Sequence, residues 1–389
     1  MTEKLYDNDS YLSEFVCKVL SFGEDKDRIY IETDRTAFFP EGGGQTSDKG
    51  TLDELYISDV QLVDGRICHY TDNTEENLQL LRSKSTLHGK IDMKKRFSDM
   101  QQHSGEHIFS GLVCSNFGYN NVGFHLGTEV VTLDFDGVLL QKDIDRIELL
   151  ANKAIWDNKE ILLHFPTDNE LKKISYRSKI EIEGQTRLVE IPGIDICACC
   201  APHVKMTGEI GIIEVVAFEK YKGGTRVSIL CGERALKDIR HKLEENRKVS
   251  VLTSAKQNET SLFVQKLKED KEKADYDIVG LKRELLLLKA EAIEKAERII
   301  IFDEKLQGKL LQDFSISIMN KADSFVSCFC GENGVYRYSI ASKGKDLREM
   351  CKAFNGAFKG RGGGKPELCQ GTVSGTEEEI RKFLSDYKI

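Results

Sequence analysis

Two histidines four residues apart, His103 and His107, sit in the stretch MQQHSGEHIFSGLVCSNF. If that stretch is helical, both imidazoles project from one face and can reach one metal ion. Downstream, Cys199 and His203 repeat the four-residue spacing in DICACCAPHVKMTGEIG. Together the two pairs offer three imidazoles and a thiolate, a set that suits tetrahedral Zn²⁺ better than Mg²⁺ or Ca²⁺. The expectation is one zinc ion per chain. On spacing alone, two other readings of these residues stay open. His103-Ser104-Gly105-Glu106-His107 fits the H-x-x-E-H signature of inverted zinc peptidases, with Glu106 as general base. Cys197 and Cys200 form a C-x-x-C, which serves as a redox pair or as half of a zinc ribbon.

Further polar residues have the right chemistry to complete such a site. Glu106 adjoins His107 in sequence but lies about 100° around an ideal helix from it. Its carboxylate suits either activation of water or a hydrogen bond to a substrate ammonium. His125, in GFHLGTE, either lines the site or occupies a surface turn. Gly42, Gly43 and Gly44 carry no side chains, so their backbone N–H groups can approach a ligand closely. Gln45 follows them with an amide that both donates and accepts. Gly362, Gly363 and Gly364 precede Lys365, but Pro366 stands where a phosphate-binding P-loop needs Ser or Thr.

These residues need elements to hold them. From about residue 12 to 95, short runs such as FVCKVLSF, RIYIET and RICHYT alternate apolar and polar positions, which predicts a small β-barrel or curved sheet. From about 97 a helical segment gives way to strands (EVVTLDF, RLVEI, IGIIEVVAF, TRVSIL) and a helix around 143–160, an α+β arrangement. Residues 233–298 show no proline and no strand pattern. There Ala274, Ile278, Leu281, Leu285, Leu288 and Ala292 form a heptad seam in a long charged helix, which either seeks a partner or packs on its own domain. The last stretch resumes an α/β pattern, with SFVSCFCG and VYRYSIAS as strands and LREMCKAFNGAF as a helix. Within 337–365, eight Lys or Arg face two acids, a local +6 that either binds phosphate backbone or is a solvated face.

Composition bounds the function. The 389 residues predict about two to four domains. A net charge of −8 argues against bulk electrostatic attachment to nucleic acid, so any RNA contact is local, and no DNA partner is expected. The N-terminal MTEKLYDNDSYLSEF lacks the basic start and apolar run of a signal peptide, and no apolar stretch approaches a membrane span. A cytoplasmic protein without a membrane partner is expected. Eleven cysteines in such a chain read as buried residues or metal ligands rather than as a disulfide framework.

The order of the motifs resembles a known family. DRTAFFPEGGGQTSDKG at 34–50, HSGEH at 103–107 and CCAPH at 199–203 followed by TGEIG are similar to the signatures of the alanyl-tRNA synthetase editing domain. The resemblance is closest to the freestanding AlaX-type trans-editing proteins, because the chain starts directly at the β-domain. No aminoacylation domain is expected, and the chain is not expected to charge tRNA. GRGGGKPELCQG resembles the glycine-rich C-terminal domain of the synthetase, of the long AlaX form and of the DHHA1 domains of DHH-type phosphoesterases. No Asp-His-His motif accompanies it, so phosphoesterase activity is not expected.

The resemblance implies an α+β protein in four parts: a β-barrel-like domain at 1–95, a zinc-containing editing domain at 96–232, a long helix or coiled coil at 233–300, and a DHHA1-like domain at 301–389. It implies zinc held by His103, His107, Cys199 and His203, with Thr36 and Gln45 in the amino-acid and terminal-adenosine pocket. Catalytic roles are expected for Glu106, Thr36, Gln45 and His125, and substrate contacts for Gly42, Gly43, Gly44, Arg361 and Lys365. The implied activity is deacylation of mischarged tRNA(Ala), Ser-tRNA(Ala) foremost and Gly-tRNA(Ala) next, by a homodimer joined through the C-terminal helix and domain. The synthetase usually has Thr before its second zinc histidine and Cys-Gly-Gly-Thr-His at the second pair. Here these are Glu106 and Cys199-Cys200-Ala201-Pro202-His203, which keep the ligand spacing. A zinc peptidase and a non-catalytic tRNA adaptor are the competing functions.

Overall fold

The computed structural model describes residues 2–178 and 186–388. It divides into two units, Met1–Lys248 and Val249–Ile389.

Beyond a short pairing of Glu3–Lys4 with Arg35–Thr36, the first unit has strands β1 (Glu14–Asp25), β2 (Arg28–Thr33), β3 (Gly50–Leu52), β4 (Leu55–Ile57), β5 (Asp59–Val63) and β6 (Arg66–Asp72), then helix α1 (Glu75–Ser83) and strand β7 (Thr86–Ile91). They form one seven-stranded sheet in the order β4-β3-β7-β1-β2-β6-β5. Its edge strands β4 and β5 are consecutive in the chain, separated by Ser58 alone. The sheet must therefore curl until its edges approach. The two-residue period follows from burial: Phe15 and Cys17, Ile29 and Ile31, and Leu87 and Ile91 point inward with Phe38, Phe39 and Leu52.

Helix α2 (Met93–Phe117) is the central element. Asp92 caps its start by accepting from the N–H groups of Lys94 and Lys95, and Gly118, at φ 72°, ends it in the left-handed conformation. Asp99 through Gly111 are buried without a break, so the helix is enclosed on all sides rather than laid on a surface. Two glycines make this possible. A Cβ on Gly105 would lie 2.3 Å from Cys231 Sγ, and one on Gly111 would lie 2.7 Å from Asp195 Cβ. Around α2 stand β8 (Asn121–Leu126), β9 (Val131–Phe135), α3 (Gln141–Trp156), β10 (Leu162–His164), β11 (Leu188–Ile191), β12 (Asp195–Ala198), β13 (Ile213–Tyr221) and β14 (Gly224–Cys231). They form a sheet ordered β8-β9-β14-β13 and another ordered β10-β11-β12. Their apolar faces enclose a second core with Ile108, Phe109 and Val113 of α2.

The stretch expected as one helix over 233–300 is interrupted. Helix α4 (Gly232–Thr253) stops at Ser254, whose φ of 54° is left-handed, and α5 resumes at Thr260–Ala292. The intervening SAKQNE has no apolar residue after Ala255 to hold a helical turn, and Ser250 Oγ instead donates to Ala255 O. The end of the stretch is a strand, β15 (Ala296–Phe302).

The second unit continues with α6 (Lys309–Ile318), β16 (Ala322–Glu332), β17 (Val335–Ala341), α7 (Arg348–Ala357), β18 (Arg361–Lys365), β19 (Leu368–Ser374) and α8 (Glu377–Asp386). Its sheet runs β15-β16-β17-β19-β18, with only the β15–β16 pair parallel across the α6 crossover. The Gly362–Gly364 run is an edge strand. A Cβ on Gly362 would sit 2.5 Å from Tyr338 Oη, which explains a glycine there. On α5, Ile278, Leu281, Leu285 and Leu288 are exposed, so nothing in this unit covers that seam among the described residues. No helix among the described residues is long and apolar enough to cross a membrane.

Candidate metal centre

Helix α2 carries His103 and His107 one turn apart on the face toward residues 199–203, where the chain leaves β12 and delivers Cys199 and His203. One ligand atom from each of these four residues lies within 4.8 Å of the others. Cys199 Sγ is 3.3 Å from His103 Nε2 and 3.5 Å from His203 Nε2. The ring centroids of His107 and His203 are 4.6 Å apart. Burial alone would raise the Cys199 thiol, but the charge and hydrogen bonds of His103, His107 and His203 overcome it and hold the group well below its ordinary value. That shift favours the thiolate, the metal-ligating form.

Each imidazole is oriented from behind. His103 Nδ1 lies 2.9 Å from Gln45 Oε1, His107 Nδ1 is 3.2 Å from Asp195 Oδ2, and His203 Nδ1 is 3.0 Å from Ser104 Oγ. With Nδ1–H donating in each case, all three Nε2 atoms are turned toward the Cys199 sulfur. Outer partners that fix the tautomer of ligating histidines are a hallmark of metal sites. The residues present therefore fit a metal ion. Asp195 is itself gripped side-on by Arg177, whose Nε and Nη2 both donate at 2.7 Å. Against burial, Asp195, Cys199 and Glu106 push the His107 pKa up to about 9. Binding a metal through Nε2 thus displaces a proton.

The other sequence candidates fall in distinct places. Gln45 follows a two-residue hairpin in which Gly42 and Gln45 exchange backbone hydrogen bonds and Gly43 and Gly44 have φ of 59° and 81°. These are type I′ values that glycine adopts freely. The hairpin packs close, since a Cβ on Gly44 would meet the Phe124 ring at 2.5 Å, and Phe124 in turn lies against His103. Glu106 is buried. Its Oε1 accepts from Ser110 and from Asn121, each at 2.7 Å, and its Oε2 is 3.7 Å from His107 Nε2. His125, next to Phe124 on β8, is exposed and takes no part in the cluster. The alternation of a strand sends it to the opposite face.

Thr36 is fully buried in the first sheet's core. Its hydroxyl lies 2.8 Å from His69 Nε2 and accepts from Phe38 N at 3.0 Å. His69 Nδ1 sits 2.9 Å from Ile31 O, and burial lowers the His69 pKa to about 4. The ring is thus neutral, with Nδ1–H donating to Ile31 and Nε2 receiving the Thr36 proton. One lone pair of Thr36 remains. Cys197 and Cys200 are both free thiols, and burial pushes Cys197 up to about 12, away from the thiolate form. Arg361 and Lys365 are exposed on β18 of the second unit. With Arg348 and Lys352 nearby, the glycine strand borders a pocket of about 440 Å³.

Asp195, Ser104 and Arg177 lie outside what ligand-type residues and their spacing signal. Asp195 has a faint signature: it sits at the same strand parity as Cys197 and Cys199, so its carboxylate faces inward. Asp195→Asn is expected to lower metal affinity by about 10- to 100-fold, because an amide supports the His107 N–H less well than a carboxylate. Competition against a chromophoric chelator measures this, and unchanged affinity would remove Asp195 from the site.

The family model described as the threonyl and alanyl tRNA synthetase second additional domain matches residues 186–228, which include Cys199 and His203. The alanyl-tRNA editing protein AlaX-L of Pyrococcus horikoshii is 27% identical over an alignment covering 98% of this chain and 96% of that protein. The alanine–tRNA ligase of Pyrococcus furiosus is 26% identical across 97% of this chain, which spans only 42% of the ligase. That of Methanococcus vannielii is 28% identical across 98% of this chain and 43% of the ligase. Among solved structures, the C-Ala domain of Aquifex aeolicus alanyl-tRNA synthetase matches 23% of this chain and 87% of its own, at 16% identity and a TM-score of 0.21. The resemblance to AlaX-type editing proteins thus extends along nearly the whole sequence.

Proposed function

We propose that this chain, similar from end to end to an alanyl-tRNA editing protein, is a zinc-dependent aminoacyl-tRNA deacylase that removes serine, and also glycine, from tRNA(Ala). The observation that carries the reading is the convergence of three outward-anchored imidazoles on one half-buried cysteine sulfur, in a chain similar along nearly its whole length to a protein named for alanyl-tRNA editing. His103, His107, Cys199 and His203 would hold the metal. Zinc in such a site supplies polarisation of an ester carbonyl or a bound water of lowered pKa. A peptidase reading needs Glu106 to serve as a general base, but Ser110 and Asn121 already engage its carboxylate. A deacylation assay with seryl-, glycyl- and alanyl-tRNA(Ala), run beside a peptide panel, tests the proposal. Serine release with peptides intact is expected, and tRNA binding without turnover would make the chain an adaptor.

Selectivity is assigned to Thr36. A hydroxyl offers one donor and two acceptor positions. His69 and Phe38 take one of each, leaving an acceptor that matches the hydroxyl of serine and that alanine cannot use. Thr36→Val is expected to reduce the ratio of seryl to alanyl deacylation by about 2- to 10-fold, the worth of one neutral hydrogen bond. An unchanged ratio would exclude Thr36 as the discriminator.

The exposed basic residues of the second unit are proposed to hold the tRNA body, and the uncovered α5 seam to join two copies of the chain. Reversing Arg361 and Lys365 to Glu is expected to weaken tRNA binding and to flatten its salt dependence, by about 0.7–0.9 on a log–log plot for each phosphate that is no longer neutralised. A salt titration of tRNA affinity decides this, and an identical slope would place the phosphate-binding surface elsewhere.

A further inference from the structure

Four other arginines of the first unit use the same edge of the guanidinium. Arg96 turns Nε and Nη2 onto Asp48, Arg177 onto Asp195, Arg226 onto Asp134, and Arg247 onto Glu244. This side-on fork is the arrangement that matches two oxygens of an oxyanion. Arg187 is buried without such a partner among the described residues. It is 7% exposed, and its Nη1 donates to Ala201 O at 2.9 Å, with Cys199 O at 3.5 Å. Its Nε and Nη2 are buried and have no partner among the described residues. Among those residues no carboxylate lies within 4.0 Å of it; Asp7, in the N-terminal segment, feels its charge without pairing.

A permanently ionised fork shut from water without an acceptor is costly, and an unmade hydrogen bond to a charged group is the expensive kind. The position is telling as well. Arg187 grips the backbone carbonyls on either side of Cys200, the residue after the thiolate ligand. Cys200 Sγ is 3.8 Å from where a Cβ on Gly43 would stand, so the fork, the ligand loop and the glycine hairpin adjoin.

Resting on the deacylase reading, we infer that the Nε–Nη2 edge of Arg187 is an oxyanion subsite that takes the 5′ phosphate group of the terminal nucleotide of the tRNA. The chemistry of the substrate selects this anion. An aminoacyl ester has no free carboxylate, and the fixed negative charge nearest the ester is the phosphate on the 5′ oxygen of the same ribose. A fork on the ligand loop would hold that phosphate while the ester, one ribose away, lies at the metal. Arg187 is in this sense a positioning residue.

The test compares adenosine with adenosine 5′-monophosphate as ligands of the full-length, zinc-loaded protein by isothermal titration calorimetry. The wild type is expected to bind the monophosphate about 10- to 100-fold more tightly than the nucleoside, the range for hydrogen bonds to charged groups. In Arg187→Met that preference should vanish while adenosine is still bound by the zinc-loaded protein. Arg187→Lys, which keeps the charge without the fork, should retain part of it. Asp7→Asn, which removes a competing anion, should enlarge it. Equal binding of the two ligands by the wild type would overturn the inference, as would a full preference in Arg187→Met. Serine release from Ser-tRNA(Ala) is scored separately, and its failure would count against the deacylase reading while leaving the calorimetric comparison of the two ligands intact.

Discussion

Arg96→Met is expected to destabilise the first unit by about 3–5 kcal/mol, one of the two largest effects foreseen for this chain. The Arg96 and Asp48 side chains are 0% and 1% exposed. Arg96 reaches from the first turn of α2 to donate to Asp48 and to the carbonyls of Ser10 and Ala37, while Asp48 also accepts from Phe39 N at 2.6 Å. These bonds fasten the loop after the glycine hairpin to the helix that carries His103. Methionine fills much of the volume but leaves the Asp48 carboxylate buried without its counterion, and that stranded charge sets the magnitude. Replacing both residues together, with Arg96→Met and Asp48→Leu, should recover most of the loss, since an apolar pair of similar volume is often neutral. Urea unfolding of the wild type and the two variants measures this. A loss below about 1 kcal/mol in Arg96→Met, the scale of an exposed ion pair, would mean that water reaches the pair.

Loss of a metal ligand is the second. Cys199→Ala and His103→Ala are each expected to lower zinc affinity by more than about 10²-fold, since disturbing an outer partner alone costs about 10- to 100-fold. Removing Cys199 deletes the anion on which the three imidazoles converge. Cys197→Ala and Cys200→Ala should leave zinc in place, because Cys197 is held as a thiol and Cys200 is an exposed free cysteine beside the site. Metal analysis of the purified variants decides the matter. Full retention of zinc by both ligand variants would sink the assignment, and loss on changing Cys197 or Cys200 would revive the C-x-x-C reading.

What can be read in the sequence is local. The pairing of His103 with His107 follows from helical period, and the inward strand residues follow from alternation, so both are legible without a fold. The glycine hairpin is legible as a close approach, though not which side chains it approaches. Interactions between distant segments are not legible. Asp195 meets His107 where Gly111 lets β12 come within contact of α2, and Ser104 meets His203 from a segment 99 residues away. Resemblance points to Thr36 and Gln45, but their partners His69 and His103 come from tertiary packing. The break after Thr253 is hidden because an unbroken charged pattern without proline imitates a continuous helix, whereas six polar-rich residues suffice to end one. Arg187 gives no signal, since an unsatisfied donor is a property of what surrounds it.

Metal and chemistry are joined in the proposed deacylase, and one titration tests both. Protein stripped by a chelator is supplied with increasing Zn²⁺ while serine release from Ser-tRNA(Ala) is followed. The account predicts negligible release at the outset, a rise with added zinc, and saturation at one ion per chain. Full release from the stripped protein, or none at any zinc concentration, would contradict it.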